Sequence, residues 1–251
     1  MRPIVFIKVL SLFFLLQSCN PKFQSQKAEF VDYRINPERA TDASVLSLVK
    51  PYGDSMSETM NRVIGYNEFN LEKKQPEGGL GNFMADAFLT MAAEKFKEPV
   101  DAAMVNYGGV RLTQLPAGNI TVGKMYELMP FDNLLVIQKL KGEIVEKFLD
   151  RIASSGGWPI SGITFQIKDL PAGQAGKKAV NINVGGKPFN INNTYTIANS
   201  DFVINGGDSD NILKGIPFQN IGYNMREALI EYVTKMKTIS VKEEKRISNA
   251  Q

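Results

Sequence analysis

Val105-Asn106-Tyr107-Gly108-Gly109-Val110-Arg111 is the stretch that decides how the chain reads. An apolar run, Ala102 to Val105, enters it, two adjacent glycines follow, and an arginine closes it. The glycines permit close approaches that a Cβ blocks. The arginine carries a planar fork of donors suited to a carboxylate or phosphate. Asn106 offers a donor and an acceptor from one amide. The pattern predicts a strand running into a small polar pocket. Such turns are commonly structural, so the meaning of this one depends on partners elsewhere in the chain.

Two further segments supply candidates. Asn205-Gly206-Gly207-Asp208 follows Phe202 and repeats the same logic: a strand, a glycine pair, and a polar residue carried on a turn. An ionised Asp208 only accepts hydrogen bonds, which suits sugar hydroxyls. Met129-Pro130-Phe131-Asp132-Asn133 places an aromatic between a proline and two polar residues, outside any amphipathic stripe. A ring in such a place either covers the core or offers a stacking face. Taken singly, a capped glycine turn and a core lid are the more common readings.

The rest of the chain predicts an α+β fold, with a mixed sheet flanked by helices at 80–97, 141–154 and 224–236. Leu80, Phe83, Met84, Ala87, Phe88, Met91, Ala92 and Phe96 recur at helical spacing. Ile144, Val145, Phe148, Leu149 and Ile152 do the same, and Gly156-Gly157 ends that helix. In the last helix Asn224 is the cap. A helical pattern from about Thr41 to Ile64 contains Pro51 and Gly53, which predict a kink or a split. A short helical turn is predicted at 122–128. Strands are predicted at 30–34, 134–137, 163–167 and 195–198. The alternating Val180, Ile182 and Val184 turn through Gly185-Gly186 as a hairpin. The charged tail from Lys237 carries no predicted element, and no second domain boundary or internal repeat is visible.

Composition bounds the function. The chain has 251 residues, 43% hydrophobic and 22% charged, enough for one domain with a sizeable core. Residues 1–18 form a basic lead and a short apolar run, too short to span a membrane and typical of a secretory leader. Leu16-Gln17-Ser18-Cys19 resembles a bacterial lipobox. That resemblance implies cleavage before Cys19, acylation there, and a periplasm-facing membrane anchor in the cell envelope. Residues 19–40 then read as a tether and 41–251 as the domain. Cys19 is the only cysteine, so no internal disulfide forms. Without residues 1–18 the formal charge falls from +3 to +1, and no dense basic block points to nucleic acid. There is no histidine, which excludes Ser–His and Cys–His nucleophile pairs and histidine-dependent metal motifs. Asp208-Ser209-Asp210-Asn211 lacks the length and the distal glutamate of an EF-hand loop.

Together the segments resemble the C-terminal, substrate-binding domain of the 5'-nucleotidase / UDP-sugar hydrolase family. In chain order the carriers are Leu80-Gly81-Asn82 with Ala85-Asp86-Ala87, Asn106 through Arg111, Gly118-Asn119-Ile120-Thr121, and Met129 through Asn133. Leu140-Lys141-Gly142, Ser161-Gly162, Tyr195 with Ala198, and Asp201-Phe202 with Gly206-Gly207-Asp208 complete them. The resemblance covers about 45–248. It implies that Phe131 and Phe202 sandwich a base, that Asn106 bonds the base, and that Asp208 takes the ribose hydroxyls. It also implies that Arg111 leans toward the phosphate and that Gly206 and Gly207 let the loop pass close to the ligand. Tyr107 stands where relatives carry a small residue, and either narrows the pocket or points away. Some relatives carry an arginine near position 94. Glu94 would repel phosphate if it faced the site.

The family's chemistry belongs to a metallophosphatase domain whose histidines, aspartates and asparagine hold two metals. No such domain is expected within these residues, and no cofactor of this chain is expected; divalent metals belong to a partner. Three readings follow: a nucleoside- or nucleotide-binding subunit for a separate metallophosphatase chain, a non-catalytic nucleoside-binding lipoprotein, or a scaffold that has lost the ligand. No catalytic residue and no metal ligand is assigned in this chain.

Overall fold

The computed structural model describes Arg34, Asn36 and residues 41–171, 173–174 and 176–250. Cys19 and the expected leader lie outside the described residues, as do most of the tether and the strand expected at 30–34, apart from Arg34. The chain divides into two compact units, Met1–Leu48 and Val49–Gln251. In the first, Asp42 accepts the amide hydrogens of Ser44 and Val45 and so caps helix α1 (Ala43–Asn61). Pro51 and Gly53 neither split nor end this helix, contrary to the sequence pattern. No residue of α1 is buried, so water can take the carbonyl that Pro51 leaves without a donor.

The second unit continues with β1 (Val63–Asn67), β2 (Leu71–Glu72), α2 (Gly79–Phe96), β3 (Ala102–Met104), β4 (Gln114–Leu115) and β5 (Gly118–Thr121). Then come α3 (Val122–Leu128), β6 (Leu134–Lys141), α4 (Gly142–Ser154), β7 (Ile160–Ser161), β8 (Ile163–Asp169) and β9 (Lys177–Val184). The remainder is β10 (Lys187–Pro188), β11 (Thr194–Ser200), α5 (Asp201–Ile204), β12 (Phe218–Asn224), α6 (Met225–Met236), β13 (Thr238–Ile239) and β14 (Ile247–Asn249). The α+β class and the mixed sheet follow the sequence reading.

The central sheet has the order β12-β6-β11-β3-β7. β11 runs parallel to β3 and antiparallel to β6. Because side chains alternate along a strand, the sheet feeds two cores. Leu135, Ile137, Ala103, Val105 and Ala198 pack with α2, α3 and α6. Val136, Leu140, Ala102, Met104 and Ile197 pack on the other face with α4 and β8. Phe83, Phe88 and Phe148 are fully buried on these two faces, each contributing roughly 1.5–3 kcal/mol. Helix α2 carries eleven buried residues, Asn82 among them, so it lies inside the unit more deeply than an amphipathic surface helix.

Several elements escaped the sequence reading, β1, β12 and β14 among them. β1 joins β5 on one side and β13 on the other. β12 is the edge strand of the central sheet, with no buried residue. The tail returns to the body: β14 pairs in parallel with β8, and Arg246 is buried in a charged tail for which no element was predicted. Its guanidinium grips both oxygens of Asp86 at 2.6 and 2.9 Å and the Ile160 carbonyl at 2.9 Å.

Candidate functional site

The sheet topology itself gathers the site. β3 and β11 are parallel, so the chain leaves both at the same end, into Asn106 and into Asp201. β6 is antiparallel to β11, with Leu135 opposite Ser200, so the loop that precedes β6 lies at that end too. Ligands of open α/β sheets commonly lie outside the carboxyl ends of strands. Here an open cleft of about 230 Å³ lies there, lined by Asn106, Gly108, Gly109, Phe131, Asn133, Phe202 and Asp208. Three loops well separated in sequence therefore share one cavity.

Each wall has a local cause. After β3 the chain makes one 3-10 turn, Tyr107–Gly109, closed by the Gly109 amide on the Asn106 carbonyl at 2.8 Å. A methyl group at Gly109 would lie 2.8 Å from Asn106 Oδ1, so the turn admits only glycine there without displacing the amide. Asn106 is buried, and its Nδ2 donates to Asp208 Oδ2 at 2.7 Å. Two of the polar groups of the cleft thus share a hydrogen bond.

Phe202 lies on the short helix α5, whose cap is Ser200 Oγ accepting the Val203 amide. It is 47% exposed, and Phe131 is 37% exposed. Two half-open aromatic rings flank the cleft, where a core lid would bury its ring. A methyl group at Gly207 would lie 2.4 Å from the Phe202 ring, so the ring rests on the Gly207 backbone. Gly206 and Gly207 do not line the cleft; they shape the loop behind Phe202, with Gly206 at φ +112°. Buried Ser209 donates to the Val203 carbonyl at 2.8 Å and pins the loop that carries Asp208. Gln138 of β6 donates to the Ile216 carbonyl at 3.0 Å and holds its far end.

Arg111 stands at the Phe131 end of the cleft, its guanidinium carbon 5.6 Å from the ring centroid. Beside it is a cation that sequence reasoning missed. Lys73 Nζ sits 4.1 Å from the centroid of the Tyr107 ring and donates to the Val110 carbonyl at 2.8 Å. Burial, and secondarily the charge of Arg111, hold the Lys73 ammonium below the ordinary lysine range. The only available signal was register: the Lys73 amide continues the β2–β4 pairing by donating to the Thr113 carbonyl. Tyr107 is committed to Lys73 and to the core behind the sheet, so it does not narrow the cleft. Glu94 faces away and pairs with Lys235 of α6. Asn133 is a further lining residue; its neighbour Phe131 was singled out while it was not. Among the described residues no three Cys, Asp or Glu side chains gather as a metal site.

Fold and site together define an α+β domain with a ring-lined cleft, bearing a few polar groups, beyond the strand ends of its central sheet. The sequence matches the model of the 5'-nucleotidase, C-terminal domain over residues 56–215, and the chain belongs to that family. It is 30% identical over 219 residues to Protein UshA of Yersinia enterocolitica, covering 86% of this chain and 39% of that protein. It is 28% identical over 214 residues to a 5'-nucleotidase of Vibrio vulnificus, covering 82% of this chain and 37% of the relative. Among solved structures, a 5'-nucleotidase precursor from Thermus thermophilus superposes with a TM-score of 0.71 at 26% identity, over 82% of this chain and 43% of that one. The chain thus spans about two fifths of the length of these relatives.

Proposed function

We propose that this chain binds the nucleoside part of a nucleotide and presents its phosphate to a metallophosphatase carried on a separate chain, the pair hydrolysing nucleotides. The observation that carries the reading is the convergence of Phe131, Phe202, Asn106 and Asp208 on one cleft. The rings stack the base, Asn106 bonds its edge, and Asp208 accepts from the ribose hydroxyls. Arg111 and Lys73 supply positive charge for the phosphate. Stacking tolerates base identity, and a stacked base contributes on the order of 1–3 kcal/mol by analogy with single-strand binders. The relatives' names, 5'-nucleotidase among them, support a nucleotide as ligand. A two-metal centre, where it acts, activates water for attack on phosphorus; this chain's residues bind, orient and neutralise. We place the protein at the cell envelope through acylated Cys19, on the strength of the lipobox alone.

The test is reconstitution. The purified chain is mixed with a metallophosphatase domain supplied as a separate chain in the presence of Mn²⁺ or Zn²⁺, and phosphate release from AMP and UDP-glucose is followed. Co-purification and activity above either part alone is the expected result. An inactive mixture overturns the partner role, and calorimetry with adenosine then decides whether binding remains.

A further inference from the structure

We propose that Arg226 and Asp201, neither of which lines the cleft, are positioning residues that fix the gap between Phe131 and Phe202; this rests on the nucleoside reading of the cleft. Arg226 lies in the first turn of α6 with its side chain 11% exposed. Its Nη1 donates to the carbonyls of Met129 and Phe131, both at 3.3 Å. Its Nη2 donates to Asp132 Oδ1 at 2.8 Å. The guanidinium also lies over the Tyr126 ring, 4.2 Å from its centroid. All three acceptors belong to the loop that carries Phe131. The Met225 amide adds a bond to the Asn133 carbonyl at 2.9 Å, so the start of α6 is stitched to that loop along its length.

Asp201 works from the other side. One oxygen, Oδ1, accepts the amide hydrogen of Leu134 at 2.9 Å and that of Phe202 at 2.9 Å. The first donor lies just beyond the Phe131 loop and the second is the residue that carries the other ring. A single carboxylate oxygen therefore ties the bases of the two aromatic walls together. Phe131 stands on a loop and Phe202 on α5, and both rings are half exposed; the Gly207 backbone seats the Phe202 ring but does not reach the Phe131 loop, so it does not set their separation. The bracket does so before any ligand arrives, which spares the ordering cost of two loose walls.

Two measurements test this on the full chain. The first is calorimetry with adenosine in a double-mutant cycle. Arg226→Gln is expected to weaken binding at least tenfold in the wild-type background and less than twofold in Phe131→Ala, because it acts only through that ring. Asp201→Ala is expected to weaken binding at least tenfold, while Asp201→Asn, which keeps the accepting Oδ1, stays within twofold of wild type. Equal losses of Arg226→Gln in both backgrounds, or no loss at all, overturn the proposal. The second needs no ligand: a fluorinated phenylalanine at position 131 is followed by ¹⁹F NMR. The resonance is expected to shift or broaden in Arg226→Gln and Asp201→Ala, and an unchanged line in both overturns the proposal. A wild-type chain that binds no nucleoside defeats the nucleoside reading, while the ¹⁹F result still decides whether the bracket holds the ring. If Arg226→Gln does not fold, the Asp201→Ala and Asp201→Asn pair decides alone.

Discussion

The amide of Asn106 and the carboxylate of Asp208 meet at 2.7 Å across 102 residues of chain. The bond joins the turn after β3 to the loop after β11, and it orients two of the polar groups of the cleft. Hydrogen bonds to charged groups contribute about 1.5–3 kcal/mol. Asn106→Leu is therefore expected to weaken nucleoside binding by about ten- to a hundredfold, since it removes a ligand group and leaves Asp208 unheld. Calorimetry measures this, and Asp208→Leu should cost a similar factor.

Gly207 is the seat of the Phe202 ring. A methyl there would stand 2.4 Å from ring atoms, so Gly207→Ala must push the ring aside. Overpacking of this kind costs roughly 1–3 kcal/mol in a core, and less here because Phe202 is half exposed and free to swing. The expected result is a small drop in thermal stability with at least a tenfold loss of nucleoside affinity. The mutant's melting curve and its adenosine titration, read together, check the split.

Lys73 gives the phosphate end a pH signature. Its ammonium must be charged to attract phosphate, and burial and then Arg111 lower its pKa from the ordinary 10.5. The advantage of AMP over adenosine is thus complete at neutral pH and shrinks as pH rises through a value below that of an ordinary lysine. Lys73→Met should weaken AMP about two- to fivefold, the range of a partly exposed ion pair, and leave adenosine unchanged. Titrations with both ligands from neutral to alkaline pH test the sign.

Arg246 and Asp86 test the fold rather than the site. Removing one partner of a buried pair costs about 3–5 kcal/mol, and the 23% exposure of Asp86 places this pair near the lower end. Arg246→Met should lower the urea midpoint accordingly, leaving Asp86 and Ser161, which donates to Asp86 at 2.6 Å, without their anchor.

What was legible in the sequence followed from apolar patterning and turn chemistry. The β6 strand shows in the apolar run Leu134 to Ile137, and the helix ends show at Asn224 and at Gly156-Gly157. Asn106, Phe131 and Asp208 were legible because each stands beside a glycine or proline turn, whereas Asn133 was not singled out. Lys73 and Arg246 were not legible, because long-range register sets their places: Lys73 meets the Val110 carbonyl through the β2–β4 pairing, and Arg246 meets Asp86 through the return of β14 to β8. Pro51 misled for the opposite reason: its helix packs no buried face, so breaking one hydrogen bond costs little.

The central claim is that the cleft holds a nucleoside between Phe131 and Phe202, and the most direct measurement is isothermal titration of the chain with adenosine, alone and as Phe202→Ala. The account predicts saturable one-to-one binding in the wild type and a loss of about five- to a hundredfold on removing the ring, the range of one stacked base. A wild-type chain that takes up no adenosine, AMP or UDP-glucose, or a Phe202→Ala chain that binds as tightly as wild type, would contradict it.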